Sequence, residues 1–207
     1  VPSYTFISSA TAIPLAGAEA VFVDVEQDYW CLDVDAVEAA ITEKTKAVIG
    51  VHIYGQPYDP RLLELCRERG IYLIEDAAQA HGASQVMLDG SELVAGSMGD
   101  LGCFSFFPSK NMAVGGEGGM LTTTVDELTD AVSLVVNHGR SPSLESMQLG
   151  SNLRMSEVSA AIGTVQLSHL DSWVMRRREI AEIYHQAFAD HPLISTPKVR
   201  PGAKHAW

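Results

Sequence analysis

The segment FSFFPSK, residues 104–110, joins an apolar run of strand character to a lysine at its end. A strand this apolar is normally buried, whereas lysine is seldom buried unless it is paired or used chemically. An apolar setting disfavours a charged amine, and the free amine is a nucleophile toward carbonyl groups. Lys110 is therefore a candidate for covalent chemistry, although a lone lysine after a strand is far more often a surface residue.

A second polar cluster, EDAAQAHG, follows the apolar run IYLI. Because ligands of open parallel sheets bind outside the carboxyl ends of the strands, we expect this cluster and the SFFPSK segment to share one edge of the sheet. The candidates are then Asp76, Gln79 and Ser105 beside Lys110. Each has an ordinary alternative: Asp76 as a helix cap, Gln79 as a surface amide, and Ser105 as a buried hydroxyl bonded to backbone.

The combination of these side chains is more specific than any one of them. A carboxylate can pair with a cationic ring nitrogen, an amine can bond to an aldehyde, and a hydroxyl can hold a phosphate. Those are the three groups that pyridoxal phosphate requires from its protein. The residues therefore predict a pyridoxal phosphate site in which Lys110 bonds to the aldehyde and Asp76 keeps the ring nitrogen protonated.

The glycine-rich run, the arginine run and the histidines of the sequence do not predict a further functional site. The glycine-rich run at 115–119 lacks the following Gly-Lys-Ser/Thr of a Walker-type loop and can be a flexible turn. The run Arg176–Arg178 is interpreted as a solvated helix face that pairs with Glu179 and Glu182. Three histidines show no metal-ligand spacing, so we interpret them as structural and expect no metal site: His52, His81 and His138.

Apolar periodicity in the first half alternates between strand and helix. Strands are predicted at 19–25, 46–55 and 71–78, and helices at 32–42, capped by Asp33, and 59–70, ended by Gly70. This alternation predicts right-handed crossovers and an α/β fold, with a mostly parallel sheet in a three-layer α/β/α arrangement.

The second half continues the pattern with fewer strands. Loop or hairpin is predicted at 83–100, strands at 101–110 and 118–124, an amphipathic helix at 125–139 and a polar connection at 140–152. From 156 to 189 the apolar spacing is helical, as one long helix or two with a bend.

Composition and charge disfavour several classes of protein, among them nucleic-acid-binding, membrane-bound and disulfide-rich proteins. The 207 residues are 46% apolar and 19% charged, and the net charge of −12 disfavours non-specific binding to nucleic acid or to an anionic membrane. Three separated cysteines, Cys31, Cys66 and Cys103, predict neither a disulfide framework nor zinc, and a reducing compartment is expected. No membrane-span pattern or signal peptide is recognisable, which predicts a soluble cytoplasmic protein.

The ordered motifs resemble one known family. They are PSYTFISSATAI, VFVDV, VHIYGQP, IEDAAQAHGA, GDLGCFSFFPSKNMAVGGEGGML, NHGR, GSNLRMSEVSAAIGTVQL and KHAW. Nearly end to end, the chain is similar to the DegT/DnrJ/StrS-type sugar aminotransferases, a branch of the fold-type I pyridoxal phosphate enzymes. The resemblance implies the large domain of the fold-type I transferase fold.

The resemblance also implies roles for single residues. Lys110 matches the lysine that forms the Schiff base with the cofactor and moves the proton at the substrate carbon. Asp76 matches the partner of the pyridinium nitrogen, and Gln79 matches the residue near the phenolic oxygen. Ser105 matches a phosphate ligand.

Two further matches concern the cofactor's faces and a second subunit. Phe6 matches an aromatic residue that stacks on the cofactor ring, with plain core packing as the alternative. Asn152 matches an asparagine that reaches the phosphate in the neighbouring subunit, which implies a homodimer with a shared active site. At Ser151 the family pattern usually has an aromatic residue.

The chain also departs from the family at both ends. Members begin with an additional segment whose Gly-Thr or Gly-Ser turn binds the phosphate, and they continue past KHAW into a smaller domain. We therefore expect residues 1–207 to form a pyridoxal phosphate-binding large domain that is incomplete at its N-terminus and lacks the C-terminal small domain. The helical region 156–189 leads toward that missing domain.

The function implied by the resemblance is transamination. An amino group would pass from glutamate or glutamine to a keto sugar, expected to be nucleotide-linked, in amino-sugar biosynthesis. Some relatives are deoxysugar dehydratases with histidine in place of the lysine, and this chain keeps Lys110. Two alternatives stay open: an aminocyclitol or other non-sugar transaminase or synthase of the same family, and a catalytically silent regulatory protein that binds the cofactor.

Overall fold

The computed structural model describes all residues of the chain, 1–207. In chain order the elements are α1 Ile7–Leu15, α2 Val34–Ala40, β1 Ala47–Val51, a 3₁₀ turn Ile53–Gly55, α3 Arg61–Arg69, β2 Tyr72–Asp76, β3 Ser84–Val86, β4 Glu92–Val94, β5 Leu101–Ser105, β6 Gly119–Thr122, α4 Asp126–Val136, α5 Glu157–Leu167, α6 Leu170–Phe188 and β7 Ala203–Lys204. None of the helices is both long and apolar enough to cross a membrane.

The central sheet has the strand order β1-β2-β5-β6. Strands β1, β2 and β5 are parallel, and β6 runs antiparallel to β5. The prediction of a mostly parallel sheet is therefore confirmed. In the register, Val51 pairs with Asp76 and Asp76 pairs with Cys103, so the ends of these strands lie side by side.

Helices lie against both faces of this sheet. On one face, Gly50 faces α3: a Cβ at this position would lie 2.9 Å from the Tyr58 ring and 3.1 Å from Leu62. On the other face, Ser9 of α1 donates a hydrogen bond to Asp76. Because successive residues of a strand point to opposite faces, Gly50 and Asp76 mark opposite sides of the sheet, which gives three layers.

The local signals that begin and end helices are confirmed. The Asp33 carboxylate accepts hydrogen bonds from two backbone N–H groups of the first turn of α2. Gly70 ends α3 in the left-handed conformation, with φ at 63°. The helical region 156–189 is two helices, α5 and α6, because residues 168 and 169 interrupt it.

The predicted strand at 19–25 is wrong. This segment forms only isolated bridges, from Val23 to Pro2 and from Val25 to Leu32. Val21 and Phe22 are exposed. The apolar composition is that of a strand, but no neighbouring strand offers the segment a continuous row of hydrogen-bonding partners.

A small second sheet, β4-β3-β7, joins the end of the chain to the loop after β2. Strands β3 and β4 form the hairpin left open by the sequence, and β7 pairs with β3 through Ser84 and Gln85. We call residues 203–207 the C-terminal segment. Its pairing with β3 places it beside the loops that follow the central strands.

Candidate functional site

The sheet register brings two predicted residues to one face. Asp76 ends β2 and Ser105 ends β5. Asp76 pairs with Cys103, and Ser105 lies two residues further along β5, so both side chains are on the same side of the sheet. Lys110 follows in a turn, where its N–H donates to the carbonyl of Phe107 at 2.9 Å.

The turn that carries Lys110 is held by its own small core. Phe106, Met112 and Val114 are buried against two residues of α6, Leu170 and Val174. Buried apolar residues on both sides of the turn fix the backbone at Lys110, which is itself half-buried and not part of this core. The local sequence explains this arrangement, because the apolar residues flank the polar ones.

Lys110 lines a cavity of about 490 Å³. Its side chain is half-buried, and the amine makes no hydrogen bond or ion pair with another residue. Lysine amines in protein interiors are normally paired, so a free amine facing a cavity is available to a ligand. Gln79 lines the same cavity.

Asp76 is positioned by two hydrogen bonds. Its Oδ2 accepts from the Ser9 hydroxyl at 2.6 Å, and its Oδ1 accepts from the backbone N–H of Ala78 at 3.1 Å. Each carboxylate oxygen has two acceptor positions, so the carboxylate can receive a further donor. The bond from Ser9 also ties α1 to the end of β2.

Gln79 is positioned by a strained turn. Its Oε1 accepts from the backbone N–H of Tyr54 at 2.5 Å. Tyr54 has φ at 55°, and Trp30, whose ring meets the Tyr54 ring edge to face at 5.8 Å, has φ at 58°. Both aromatic residues line the cavity. Left-handed backbone at bulky residues is uncommon and concentrates at binding sites.

The remaining predicted residues lie elsewhere. Ser105 is half-buried behind the Lys110 turn, with its hydroxyl accepting from the N–H of Phe107 at 3.3 Å. Phe6 immediately precedes α1 and is 67% exposed, which excludes core packing as its role in this chain. Asn152 is exposed in the connection before α5 and bridges to Asn137. Of the predicted site residues only Gln79 and Lys110 line the cavity; Asp76, Ser105, Phe6 and Asn152 do not.

A buried histidine–glutamate pair connects the end of β2 to the residue that follows β1. The His52 Nε2 and Glu75 Oε2 atoms are 2.8 Å apart, and both side chains are fully buried. Because His52 Nδ1 accepts from the Tyr58 N–H, the ring proton lies on Nε2 and is donated to Glu75. Both ring nitrogens of His52 are used in hydrogen bonds within the protein, which agrees with the prediction that His52 is a structural residue.

Glu75 also organises the loop before β5. Its Oε1 accepts from the N–H groups of Met98 and Gly99, and its Oε2 from that of Gly96, each at 2.7 Å. With His52, four donors surround one carboxylate. The sequence signal for Glu75 is a carboxylate at the end of an apolar strand, directly before the predicted site residue Asp76.

His81 packs against β5 and the residue that follows it, next to the turn that carries Lys110. It is 3% exposed, and neither ring nitrogen has a hydrogen-bond partner. The rings of Phe104 and Phe106 pack against it with centroids 5.2 and 5.8 Å away. Burial lowers the pKa of His81 from 6.5 to about 4, and the nearby charge of Lys110 adds to this effect. The imidazole is neutral at pH 7.

Cys103, beside Asp76, is not a reactive thiol. Burial and, to a smaller extent, the carboxylates of Asp76 and Glu75 together raise its pKa to about 11. No group of three or more histidine, cysteine, aspartate or glutamate side chains in residues 1–207 is arranged to hold a metal ion.

The interpretation of Arg176–Arg178 as a solvated face is confirmed for Arg176 and Arg177, which are exposed, and is wrong for Arg178, which is half-buried. Arg176 does pair with Glu179 at 2.8 Å on the surface. Arg177 and Arg178 instead donate to backbone carbonyls of the C-terminal segment, and Arg177 lines the cavity. Sequence reasoning missed these contacts because the partners are main-chain oxygens about thirty residues away.

The fold and the cavity are those of an α/β domain that presents a free lysine at the carboxyl edge of a mostly parallel sheet. The chain matches the DegT/DnrJ/EryC1/StrS aminotransferase family over residues 1–207, and it belongs to that family.

Individual relatives agree with this assignment. The chain is 40% identical over 210 residues to a pleiotropic regulatory protein of Geobacillus stearothermophilus, with 99% of this chain and 55% of the relative covered. It is 39% identical over 208 residues to the UDP-N-acetyl-3-dehydro-alpha-D-glucosamine 3-aminotransferase of Acidithiobacillus ferrooxidans, covering 100% and 55%. The chain thus spans about half the length of these relatives.

A solved structure matches the fold closely. DesV of Streptomyces venezuelae, solved in complex with a ketimine intermediate, superposes with a TM-score of 0.92 at 37% identity. All of this chain and 55% of that chain are covered. The predicted family and the predicted large-domain fold are confirmed.

Proposed function

We propose that the cavity beside Lys110 binds pyridoxal phosphate and that the whole protein is an aminotransferase of amino-sugar biosynthesis. The amino group would come from glutamate or glutamine and go to a keto sugar, nucleotide-linked as in the name of the Acidithiobacillus relative. The observation that carries the proposal is the free amine of Lys110, which faces a cavity at the edge of the sheet that bears Asp76.

The side chains present fit this cofactor chemically. Lys110 supplies an unpaired primary amine for an aldehyde, and the Asp76 carboxylate keeps acceptor positions for a ring N–H. Ser105 supplies a hydroxyl on the same face of the sheet for a phosphate oxygen. Bound pyridoxal phosphate supplies an electron sink that makes a proton on the attached substrate carbon removable.

The chain's own residues would perform the remaining tasks. The Nζ atom of Lys110 would take the proton from the substrate carbon and return it to the cofactor's C4′ atom, as base and then as acid. Asp76, held by Ser9, would keep the ring nitrogen protonated. Gln79 would contact the phenolic oxygen. The rings of Trp30 and Tyr54 would keep water from the reacting atoms.

We further propose that residues 1–207 are the cofactor-binding large domain of a longer protein that acts as a homodimer. Asn152 lies outside the cavity of its own chain and is exposed. This position is compatible with a contact to the phosphate in a second subunit. Phe6, also exposed and adjacent to the helix that binds Asp76, would cover the cofactor ring.

The test is a visible absorption spectrum of the full-length protein with pyridoxal phosphate. We expect an absorption band in the wild type that glutamate or glutamine bleaches, and no such band in Lys110→Ala. Lys44→Ala is the matched control, because this lysine is exposed and does not line the cavity. Absence of a band in the wild type would refute the proposal.

A second candidate is a regulatory protein that binds the cofactor without turnover. The name of the Geobacillus relative, 40% identical to this chain, is the observation that favours it. The same spectrum separates the two functions, because a band that neither glutamate nor glutamine bleaches would support regulation. An aminocyclitol or other non-sugar acceptor would instead leave the bleaching intact and fail only in the assay with nucleotide-linked keto sugars.

A further inference from the structure

Arg178 of α6 makes three hydrogen bonds to main-chain oxygens. Its Nε donates to the His205 carbonyl at 2.7 Å, and its Nη2 donates to the carbonyls of Gly82 and Lys204 at 3.1 and 3.3 Å. Arg178 forms no salt bridge. The guanidinium thus joins two stretches of backbone, the loop that follows Gln79 and the C-terminal segment.

The C-terminal segment in turn contacts the backbone on both sides of the cavity. The Ala206 N–H donates to the Gly55 carbonyl at 3.0 Å, next to Tyr54, whose N–H holds Gln79. The Asn111 amide donates to the carbonyls of Ala206 and Trp207 at 3.4 and 3.1 Å. Asn111 is the residue directly after Lys110, so the segment links the Gln79 side of the cavity to the Lys110 side.

The backbone at Gly55 packs closely against both the C-terminal segment and Gln79. A Cβ at Gly55 would lie 3.0 Å from the Ala206 side chain, from the Gln79 carbonyl oxygen and from the Trp207 nitrogen. Gly82 is similarly close to α6, because a Cβ there would lie 3.1 Å from Val174. A shift of the C-terminal segment toward Gly55 would therefore meet the backbone at Gln79 and the turn at Tyr54.

From these contacts we infer that Arg178 is a positioning residue for the cofactor site. It holds the C-terminal segment, and the segment fixes the spacing between Gln79 and Lys110 through Gly55 and Asn111. Arg178 itself does not line the cavity. The consequence for cofactor binding rests on the proposed function, whereas the mechanical link between α6 and the Lys110 turn does not.

The mechanical link is tested by amide hydrogen exchange of the full-length protein without cofactor. Arg178→Met keeps the apolar stem and removes the three donors, and Arg176→Met is the control because Arg176 only pairs with Glu179 on the surface. We expect exchange at Ala206 and at Lys110 to rise about ten-fold in Arg178→Met and to stay unchanged in the control. Unchanged exchange at Lys110 with faster exchange at Ala206 would refute the link.

The effect of Arg178 on cofactor binding is tested by spectroscopic titration with pyridoxal phosphate well below the melting temperature. We expect the dissociation constant to rise about ten-fold in Arg178→Met, with partial recovery in Arg178→Lys and no change in Arg176→Met. A merely structural role would lower the melting temperature and leave the dissociation constant unchanged, which would overturn the inference.

The inference stays testable if Arg178→Met fails to fold or if the wild type binds no cofactor. If Arg178→Met does not fold, Asn111→Ala removes the two bonds at the other end of the link; because Asn111 also lines the cavity, this variant is expected both to weaken binding and to raise amide exchange at Ala206. Unaltered binding in Asn111→Ala would then refute the inference. If the wild type binds no pyridoxal phosphate, the proposed function fails, and the exchange measurement still decides the mechanical link.

Discussion

Replacement of Glu75 by glutamine is predicted to destabilise the domain far more than a change of one atom suggests. The fully buried carboxylate accepts from four donors, two on each oxygen: Met98 N–H and Gly99 N–H on Oε1, His52 Nε2–H and Gly96 N–H on Oε2. A glutamine NH₂ group in either position would face two N–H donors.

Rearrangement of His52 does not relieve this conflict. If its proton moved to Nδ1, the ring would face the N–H of Tyr58, which Nδ1 now accepts at 3.3 Å. Two unsatisfied buried donors at about 1–3 kcal/mol each give a loss of about 4 kcal/mol. At 2–4 °C per kcal/mol, this is on the order of 10 °C in melting temperature.

The assay is thermal and urea unfolding of Glu75→Gln beside Glu64→Gln. Glu64 pairs with Arg67 on the surface at 3.3 Å, so its replacement is expected to cost less than about 1 kcal/mol. Equal melting temperatures for the two variants would show that the four hydrogen bonds contribute little, and the reasoning from unsatisfied donors would be refuted.

Three further predictions concern single side chains. Tyr58→Phe is expected to be neutral or stabilising, because the buried hydroxyl has no partner, and a loss above about 1 kcal/mol in urea unfolding would contradict this. Asp33→Ala removes two bonds from the start of α2 and should cost about 1 kcal/mol, whereas Asp35→Ala, inside the helix, serves as the comparison. His81 has a pKa of about 4 in the fold against 6.5 ordinarily, so its contribution is complete above pH 6.5 and is lost as the pH falls toward 4. Relative to His81→Phe, the wild type should therefore lose about 2 kcal/mol between pH 7.5 and 4.5, and a constant difference across this range would refute the assigned burial effect.

The parts of the site that follow from local sequence could be predicted. Asp76 and Ser105 lie at strand ends because apolar runs form parallel strands, and their common face follows from the register. The turn at Lys110 follows from the apolar residues that flank it. These features depend on residues close in sequence or on a general property of parallel sheets.

Other parts depend on contacts that no local pattern specifies. The segment at 19–25 has the composition of a strand, but strand formation also requires a paired neighbour, and only isolated bridges form. Arg177 and Arg178 bind main-chain oxygens of the C-terminal segment, which carry no residue-specific signal. The left-handed backbone at Trp30 and Tyr54 also results from packing, since neither residue type favours it.

The central claim is that Lys110 is the residue that bonds to the cofactor. The most direct test is borohydride reduction of the full-length protein with pyridoxal phosphate, followed by proteolysis and mass spectrometry of the peptides. The account predicts one pyridoxyl group per chain, located on Lys110. A modified lysine elsewhere, or no stable modification after reduction, would contradict it.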